Sequence, residues 1–230
     1  MRLYNNLINE IKVSLSDAKQ IKSDIILNSN DKNTVIFLSD TAFELGGNNK
    51  PCVSSLAVSS DMEFSNSVYL LGNDLNKIKA DSPFAKFVFI QVEDFQNEQD
   101  TFDKIKDLEA LRYRLNVDGF MTRASALNMR EQIRVSKKAI KSGVTFADYG
   151  NTLLKKYLEF SSVKSAEIYF VTDFYDFETL NMVAKKISQT TSALNHIFDN
   201  VMFDCSTCNL KEICDEVDGL KELHLKNVKK

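Results

Sequence analysis

The sequence predicts an α/β fold, with α+β as the alternative, in a single domain that ends in a cysteine-rich loop. Three observations support this prediction. Short β-branched and aromatic runs occupy the first half, a helix–strand–helix pattern occupies the second, and three of the four cysteines fall within ten residues near the C-terminal end. With 230 residues, 43% of them hydrophobic and 27% charged, the chain can bury one sizeable core and has an ordinary globular composition.

The first half is predicted to supply a mixed sheet and short helices. Apolar residues at helical spacing indicate a helix over residues 2–13 and a second helical piece over residues 21–26. The predicted strands are residues 34–38, 41–45, 52–58, 67–71 and 87–92. The last of these is almost continuously apolar, so we expect it in the sheet centre with both faces covered. The glycines and asparagines of residues 46–51 predict a tight reversal between the two strands beside them.

The second half is predicted to be mainly helical. A helix capped by Asp100 or Thr101 is expected to end at Gly119, and a second helix is expected over residues 124–142. Thr145 should begin a third helix that runs to about residue 160. A strand over residues 167–172 and a long helix over residues 176–198 then lead into the cysteine loop.

The cysteine loop has the spacing of a metal or cluster site. Cys205, Cys208, Cys214 and His224 form the pattern C-x2-C-x5-C-x9-H. Thiolates are soft ligands that select zinc, copper(I) or iron–sulfur clusters. A Cys3His set suits a closed tetrahedral zinc site, and it also suits a 4Fe–4S cluster in which histidine replaces one cysteine. The spacing leaves zinc and the cluster open.

A series of basic residues falls on one face of the helix predicted over residues 124–142, beginning with the residue directly before it. The series is Arg123, Arg130, Arg134, Lys137 and Lys141, with spacings of seven, four, three and four. At 3.6 residues per turn these side chains share one face. The stripe is either a solvated face or a binding surface for an anionic ligand or an acidic partner.

Composition narrows the other function classes. A net charge of −3 makes nucleic acid an unlikely partner. The sequence lacks an apolar run near the ~20 residues of a membrane helix and an uninterrupted apolar core of a signal peptide near Met1, so we expect a cytoplasmic protein without membrane contact. There is no Ser/His/Asp set, P-loop or H-E-x-x-H pattern, and no catalytic residue is predicted. The isolated Cys52 is expected to be a buried packing residue.

Four segments resemble the acetyl-CoA synthase family, the nickel–iron–sulfur partner of carbon monoxide dehydrogenase. They are residues 42–48 (AFELGGN), 67–75 (SVYLLGNDL), 134–150 (RVSKKAIKSGVTFADYG) and 168–173 (IYFVTD). They occur in the same order as in the family, so with the cysteine loop the resemblance spans about residues 35–224. It implies an acetyl-CoA-synthase-like domain over residues 1–198, followed by a metal-binding loop and tail over residues 199–230.

The resemblance also implies a cofactor and anaerobic metabolism. In the family, four cysteines hold a 4Fe–4S cluster, and Cys205, Cys208 and Cys214 match the first three of them. His224 stands where the fourth is expected, which departs from the family pattern. The family's N-terminal domain and later Cys-Gly-Cys element have no counterpart in these residues. We therefore expect an iron–sulfur protein for electron transfer, or an accessory subunit beside a redox partner, and not a stand-alone acetyl-CoA synthase. A zinc-stabilised interaction domain and a subunit of a larger metalloenzyme are the alternatives.

Overall fold

Two larger β-sheets, a separate two-stranded pair and six α-helices make up the computed structural model, which describes residues 2–30, 35–93, 98–125, 129–173, 175–198, 208–217 and 219–223. The helices are α1 (Asn5–Ser14), α2 (Glu98–Arg114), α3 (Lys137–Lys141), α4 (Phe146–Leu158), α5 (Phe177–Phe198) and α6 (Lys211–Glu216). The strands are β1 (Lys19–Ile21), β2 (Ser29–Asn30), β3 (Thr41–Leu45), β4 (Cys52–Ser59), β5 (Ser67–Leu71), β6 (Phe84–Val92), β7 (Asn116–Val117), β8 (Phe120–Ser125), β9 (Arg130–Ser136) and β10 (Val163–Val171). Strands β2 and β7 pair only with each other.

The main sheet is mixed, as the sequence predicted. Its strand order is β1-β5-β10-β6-β4, with parallel pairing of β5 with β10 and of β4 with β6, and antiparallel pairing elsewhere. Strand β6 lies inside the sheet and is buried along almost its whole length. A run of apolar residues can be buried in this way because helices cover both faces of the sheet.

Alternating residues of β10 show what covers each face. Phe170 packs against Phe146 and Tyr149 of α4, with ring centroids 4.9 and 5.7 Å away. Its neighbour Tyr169 stacks on Tyr69, and its hydroxyl donates to the Glu167 carboxylate. Lys12 of α1 donates to that carboxylate from outside the sheet. Helix α4 therefore covers one face, and α1, together with α5, covers the other.

The smaller sheet replaces the helix that the sequence predicted over residues 124–142. Its order is β3-β9-β8, and every pairing is antiparallel. Of the described residues in the predicted range, those of the short helix α3 alone are helical, and residues 126–128 lie outside the description. The prediction failed because β9 alternates between buried and half-buried positions, and one of its buried positions is Glu131. A charged residue at an inward position conceals the period of two that identifies a strand.

The reversal at residues 46–51 exists, but it does not join a hairpin. Gly46, Asn48 and Asn49 have positive φ values of 68°, 47° and 63°, as a tight turn requires. Strand β3 before the turn pairs with β9, whereas β4 after it pairs with β6 in the main sheet. The predicted reversal is therefore present, and it carries the chain from one sheet to the other.

Two local predictions in the first 40 residues were also wrong. Residues 21–26 are not helical: β1 ends at Ile21, and the following backbone accepts hydrogen bonds from Asn151 of α4 at Ser23 and Ile25. Residues 35–37 pair with no strand among the described residues, and a 3-10 turn covers Leu38–Asp40. Their β-branched and aromatic side chains fit a strand, but β propensity cannot form a strand without a neighbour to pair with. Thr34 lies outside the described residues.

The remaining helices lie where the sequence placed them. Thr145 caps α4 through a reciprocal pair of hydrogen bonds with Asp148, which is a capping box. Helix α5 spans 22 residues and buries one apolar face. Among the described residues, no helix combines the length and the apolar character needed to cross a membrane.

Candidate metal centre

The last described segment carries two of the four predicted metal ligands. It contains α6 and buries Leu210, Ile213, Val217 and Leu220 against the rest of the protein. These positions are three, four and three residues apart, which is the spacing of side chains on one face of a helix. The segment is therefore docked on the domain by an apolar stripe.

Cys208 and Cys214 are half-buried and pack against the hydrophobic core. Cys208 precedes α6, and its carbonyl oxygen accepts a hydrogen bond from the Lys211 amide. Cys214 lies within α6, where its amide donates to the Leu210 carbonyl. Neither thiol is in a disulfide. Both thiols are partly accessible, so a soft metal ion could reach them.

The full ligand set lies partly beyond what the structure describes. Cys205 and His224 are outside the described residues. Within the described ranges, no three His, Cys, Asp or Glu side chains come together as a metal-binding group. Two nearby carboxylates already have partners, since Asp215 pairs with Lys221 at 2.7 Å and Glu216 pairs with Lys186. Cys208 and Cys214 thus fit a thiolate site in chemistry, and the four-ligand assignment stays a prediction.

The basic residues do not form a helical stripe, because they lie on three different elements. Arg123 is on β8, Arg130 and Arg134 are on β9, and Lys137 and Lys141 are on α3. The predicted helix over residues 124–142 is not present because Arg130–Ser136 form strand β9. The helical spacing of the basic residues therefore does not place them on one face.

Three of these basic side chains form contacts with other residues of the protein. Arg134 forms an ion pair with Glu44 of β3, with 2.6 Å between Nη2 and Oε1, and Nη1 donates to the Ile36 carbonyl. Arg130 donates to the Gly46 carbonyl at 3.2 Å. Lys137 donates to the Ser39 carbonyl at 2.8 Å and lies on a surface cleft of about 610 Å³. These contacts hold the smaller sheet to its loops, and anion binding by the basic residues remains a prediction.

A buried ion cluster connects the two sheets, and the sequence reading did not identify it. Glu131 of β9 is 1% exposed and accepts from Lys86 of β6 and, at 3.0 Å, from the Ser54 hydroxyl of β4. The Arg112 guanidinium of α2 donates to the same hydroxyl at 2.8 Å, with its Nε 3.5 Å from Glu131. Four elements thus meet at one carboxylate.

The charges in this cluster depend on one another. Burial alone would raise the pKa of Glu131, but the positive charges of Lys86 and Arg112 and the hydrogen bonds from Lys86 and Ser54 lower it below its ordinary value. Burial lowers the pKa of the Lys86 ammonium, and Glu131 offsets only part of that effect. Removing the carboxylate would leave two buried cations without their counter-charge.

One sequence signal could have revealed this cluster. Lys86 interrupts the apolar run from Phe84 to Val92, and a lysine within a buried strand requires an acidic partner. The sequence does not indicate which acid fills that role, because Glu131 is 45 residues away. Cys52, in contrast, is buried as predicted, and burial raises the pKa of its thiol.

The fold and the docked segment define a mixed α/β protein with a cysteine-bearing C-terminal helix. The family model of the CO dehydrogenase/acetyl-CoA synthase complex beta subunit matches residues 33–177, more than half of the chain. The chain therefore belongs to this family, which confirms the resemblance drawn from residues 42–48, 67–75, 134–150 and 168–173. A comparison with individual curated proteins gives no match.

Proposed function

We propose that this protein holds a 4Fe–4S cluster through Cys205, Cys208, Cys214 and His224. It then acts in electron transfer or as an accessory subunit of a larger metalloenzyme, and these 230 residues do not synthesise acetyl-CoA on their own. Residues 1–198 form the family domain in this proposal, and residues 199–230 form the cluster-binding segment. A cytoplasmic location is part of the proposal, because a reducing compartment keeps clustered thiols available to a metal.

The observation that carries the proposal is the placement of Cys208 and Cys214. Both thiols lie on a segment whose apolar face is docked on the domain, so they are presented on an ordered support. Cys208 also completes a C-x2-C pair with Cys205 in the sequence, a spacing that suits iron–sulfur ligation. The family adds support, because its description names the CO dehydrogenase/acetyl-CoA synthase complex, and the resemblance to acetyl-CoA synthase implies a cluster held by cysteines. The word "complex" in that description also favours a larger metalloenzyme as the partner.

Zinc is the second candidate for the same residues. A Cys3His set closes a tetrahedral zinc site without an open position, and the protein would then be a zinc-stabilised interaction domain. The feature that favours zinc is His224, since histidine is a common zinc ligand and an uncommon cluster ligand.

Single cysteine replacements test the proposal. We expect Cys208→Ser and Cys214→Ser to lose most of the iron and the visible absorption of the anaerobically purified protein, because serine does not supply a thiolate. Cys52→Ser is the matched control, since Cys52 is buried near the Gly46 turn and is outside the proposed ligand set. Retention of full iron content and spectrum by both ligand variants would refute the assignment. Loss of zinc in place of iron would favour the second candidate.

A further inference from the structure

The N-terminal helix reaches the cysteine-bearing segment, although both lie outside the residues that match the family model. Leu3, just before α1, approaches Gly219: a β-carbon on that glycine would lie 3.6 Å from Leu3 Cδ2. A surface cleft of about 340 Å³ separates the two elements, with Leu7 and Glu10 on the α1 side and Val217 on the other. The first turn of the chain and the end of the α6 segment are thus neighbours.

Helix α5 fixes both of these elements. The Tyr4 hydroxyl lies 2.9 Å from Thr191 Oγ1, and this contact is buried. Tyr175, just before α5, donates its hydroxyl to the Ser14 carbonyl at the other end of α1. Lys186 of α5 pairs with Glu216 at the end of α6. Helix α1 is therefore held at both of its ends, and α6 is held by its apolar stripe and an ion pair.

We propose that Leu3 and Glu216 are positioning residues that keep Cys214 in place for its metal. Cys214 lies two residues before Glu216 and three before Val217, within the same short helical segment. A six-residue helix has little stability by itself, so its position depends on what it packs against. Leu3 on one side and Lys186 on the other supply that support. The identity of the metal rests on the proposed function, but the contacts of Leu3 and Glu216 that hold the α6 segment do not depend on any metal.

Thiol reactivity of the metal-free protein tests the support alone. Cys214 is alkylated with iodoacetamide after metal removal, and its labelling rate is read by mass spectrometry of the digested peptide. We expect Leu3→Ala to raise this rate about tenfold, since a lost apolar contact favours local opening of a weakly held segment. Glu216→Gln should raise it by about two- to threefold, because the Lys186–Glu216 ion pair is exposed and such pairs contribute little stability. Val13→Ala, at a 74% exposed position of α1, is the control and should leave the rate unchanged.

Metal retention tests the same residues in the loaded protein. Iron release to bathophenanthroline, or zinc release to a chromogenic chelator, should quicken in Leu3→Ala and Glu216→Gln while the melting temperature stays within about 2 °C of the parent. If Cys214 is labelled faster in the variants but the parent binds no iron, the positioning role of Leu3 and Glu216 is retained and the proposed 4Fe–4S cluster is refuted. Parental labelling rates in both variants would overturn the positioning role, whatever metal is bound.

Discussion

Replacing Glu131 by glutamine should destabilise the protein more than any surface charge change. The carboxylate is 1% exposed, accepts hydrogen bonds from Lys86 and Ser54, and forms an ion pair with the Arg112 guanidinium. Glutamine keeps the size of the side chain but removes the negative charge between two buried cations. Breaking a buried ion pair by removing one partner costs about 3–5 kcal/mol, which is a large part of the 5–15 kcal/mol that stabilises a typical domain.

Urea unfolding at pH 7, followed by circular dichroism, measures this loss. The control is Glu159→Gln, because Glu159 pairs with Lys156 at 3.0 Å but its side chain is 50% exposed. That variant should change the free energy of unfolding by less than about 1 kcal/mol. The double variant Lys86→Met/Glu131→Gln should recover part of the loss, since it also removes one of the stranded cations. A Glu131→Gln penalty no larger than that of the control would refute this account of the cluster.

The pH dependence of the same variant has a defined sign. The folded-state pKa of Glu131 is lowered from its ordinary value of 4.5. Its contribution to stability is therefore fully present above that ordinary value and is lost as the pH falls through the folded-state pKa. We expect the difference between parent and Glu131→Gln to be constant near neutral pH and to shrink only in acid. A difference that grew on acidification would contradict the lowered pKa.

Three further predictions concern the turn, the basic residues and the fourth ligand. Gly46→Ala should lower the free energy of unfolding in urea by about 2–3 kcal/mol, because a β-carbon there would lie 2.5 Å from Cys52 Sγ. Gly143 is the control, since it also has a positive φ but a β-carbon there would have no atom within 4 Å. Gly143→Ala should therefore cost about 1 kcal/mol. Equal losses would show that the close approach is unimportant. Arg134→Glu should lower the melting temperature by repelling Glu44, while Lys141→Glu on the exposed side of α3 should not; the reverse order would contradict the ion pair. His224→Cys should lower the reduction potential of the bound cluster, since a thiolate adds negative charge, and His224→Ala should make the cluster labile. An unchanged potential in His224→Ala would exclude this ligand.

Sequence patterns predicted the elements that bury a continuous apolar surface. Helices α1, α4 and α5 follow from apolar spacing, and β6 follows from its apolar run, because in these elements the local sequence states which side faces the core. The Thr145 capping box is equally local. The sequence also indicated a mixed sheet in an α/β fold, and the fold agrees.

The errors all arise where distant residues decide the structure. Glu131 gives β9 a charged inward position, and this is stable only because Lys86 and Arg112 meet it from other elements. Residues 35–37 have strand-forming side chains but no strand beside them. The turn at residues 46–51 was recognised from its composition, but the partners of its flanking strands are set by long-range pairing. Single-sequence patterns contain none of this pairing information.

The candidate site divides in the same way. The spacing of the cysteines predicts the ligands as a group, and the structure adds that Cys208 and Cys214 lie on a segment that packs on α5 and approaches Leu3. The docking surface could not be foreseen, because Leu3 and Gly219 are separated by most of the chain. The basic residues show the opposite case, in which a regular spacing suggested a binding stripe that the fold does not form.

Metal and sulfide analysis of the protein purified under strict exclusion of oxygen tests directly whether the protein binds a 4Fe–4S cluster. Iron, zinc and acid-labile sulfide are determined per chain, together with the absorption spectrum before and after reduction. We expect a brown protein with about four irons and four labile sulfides per chain, as a 4Fe–4S cluster requires. A colourless protein that contains one equivalent of zinc and no labile sulfide would contradict it.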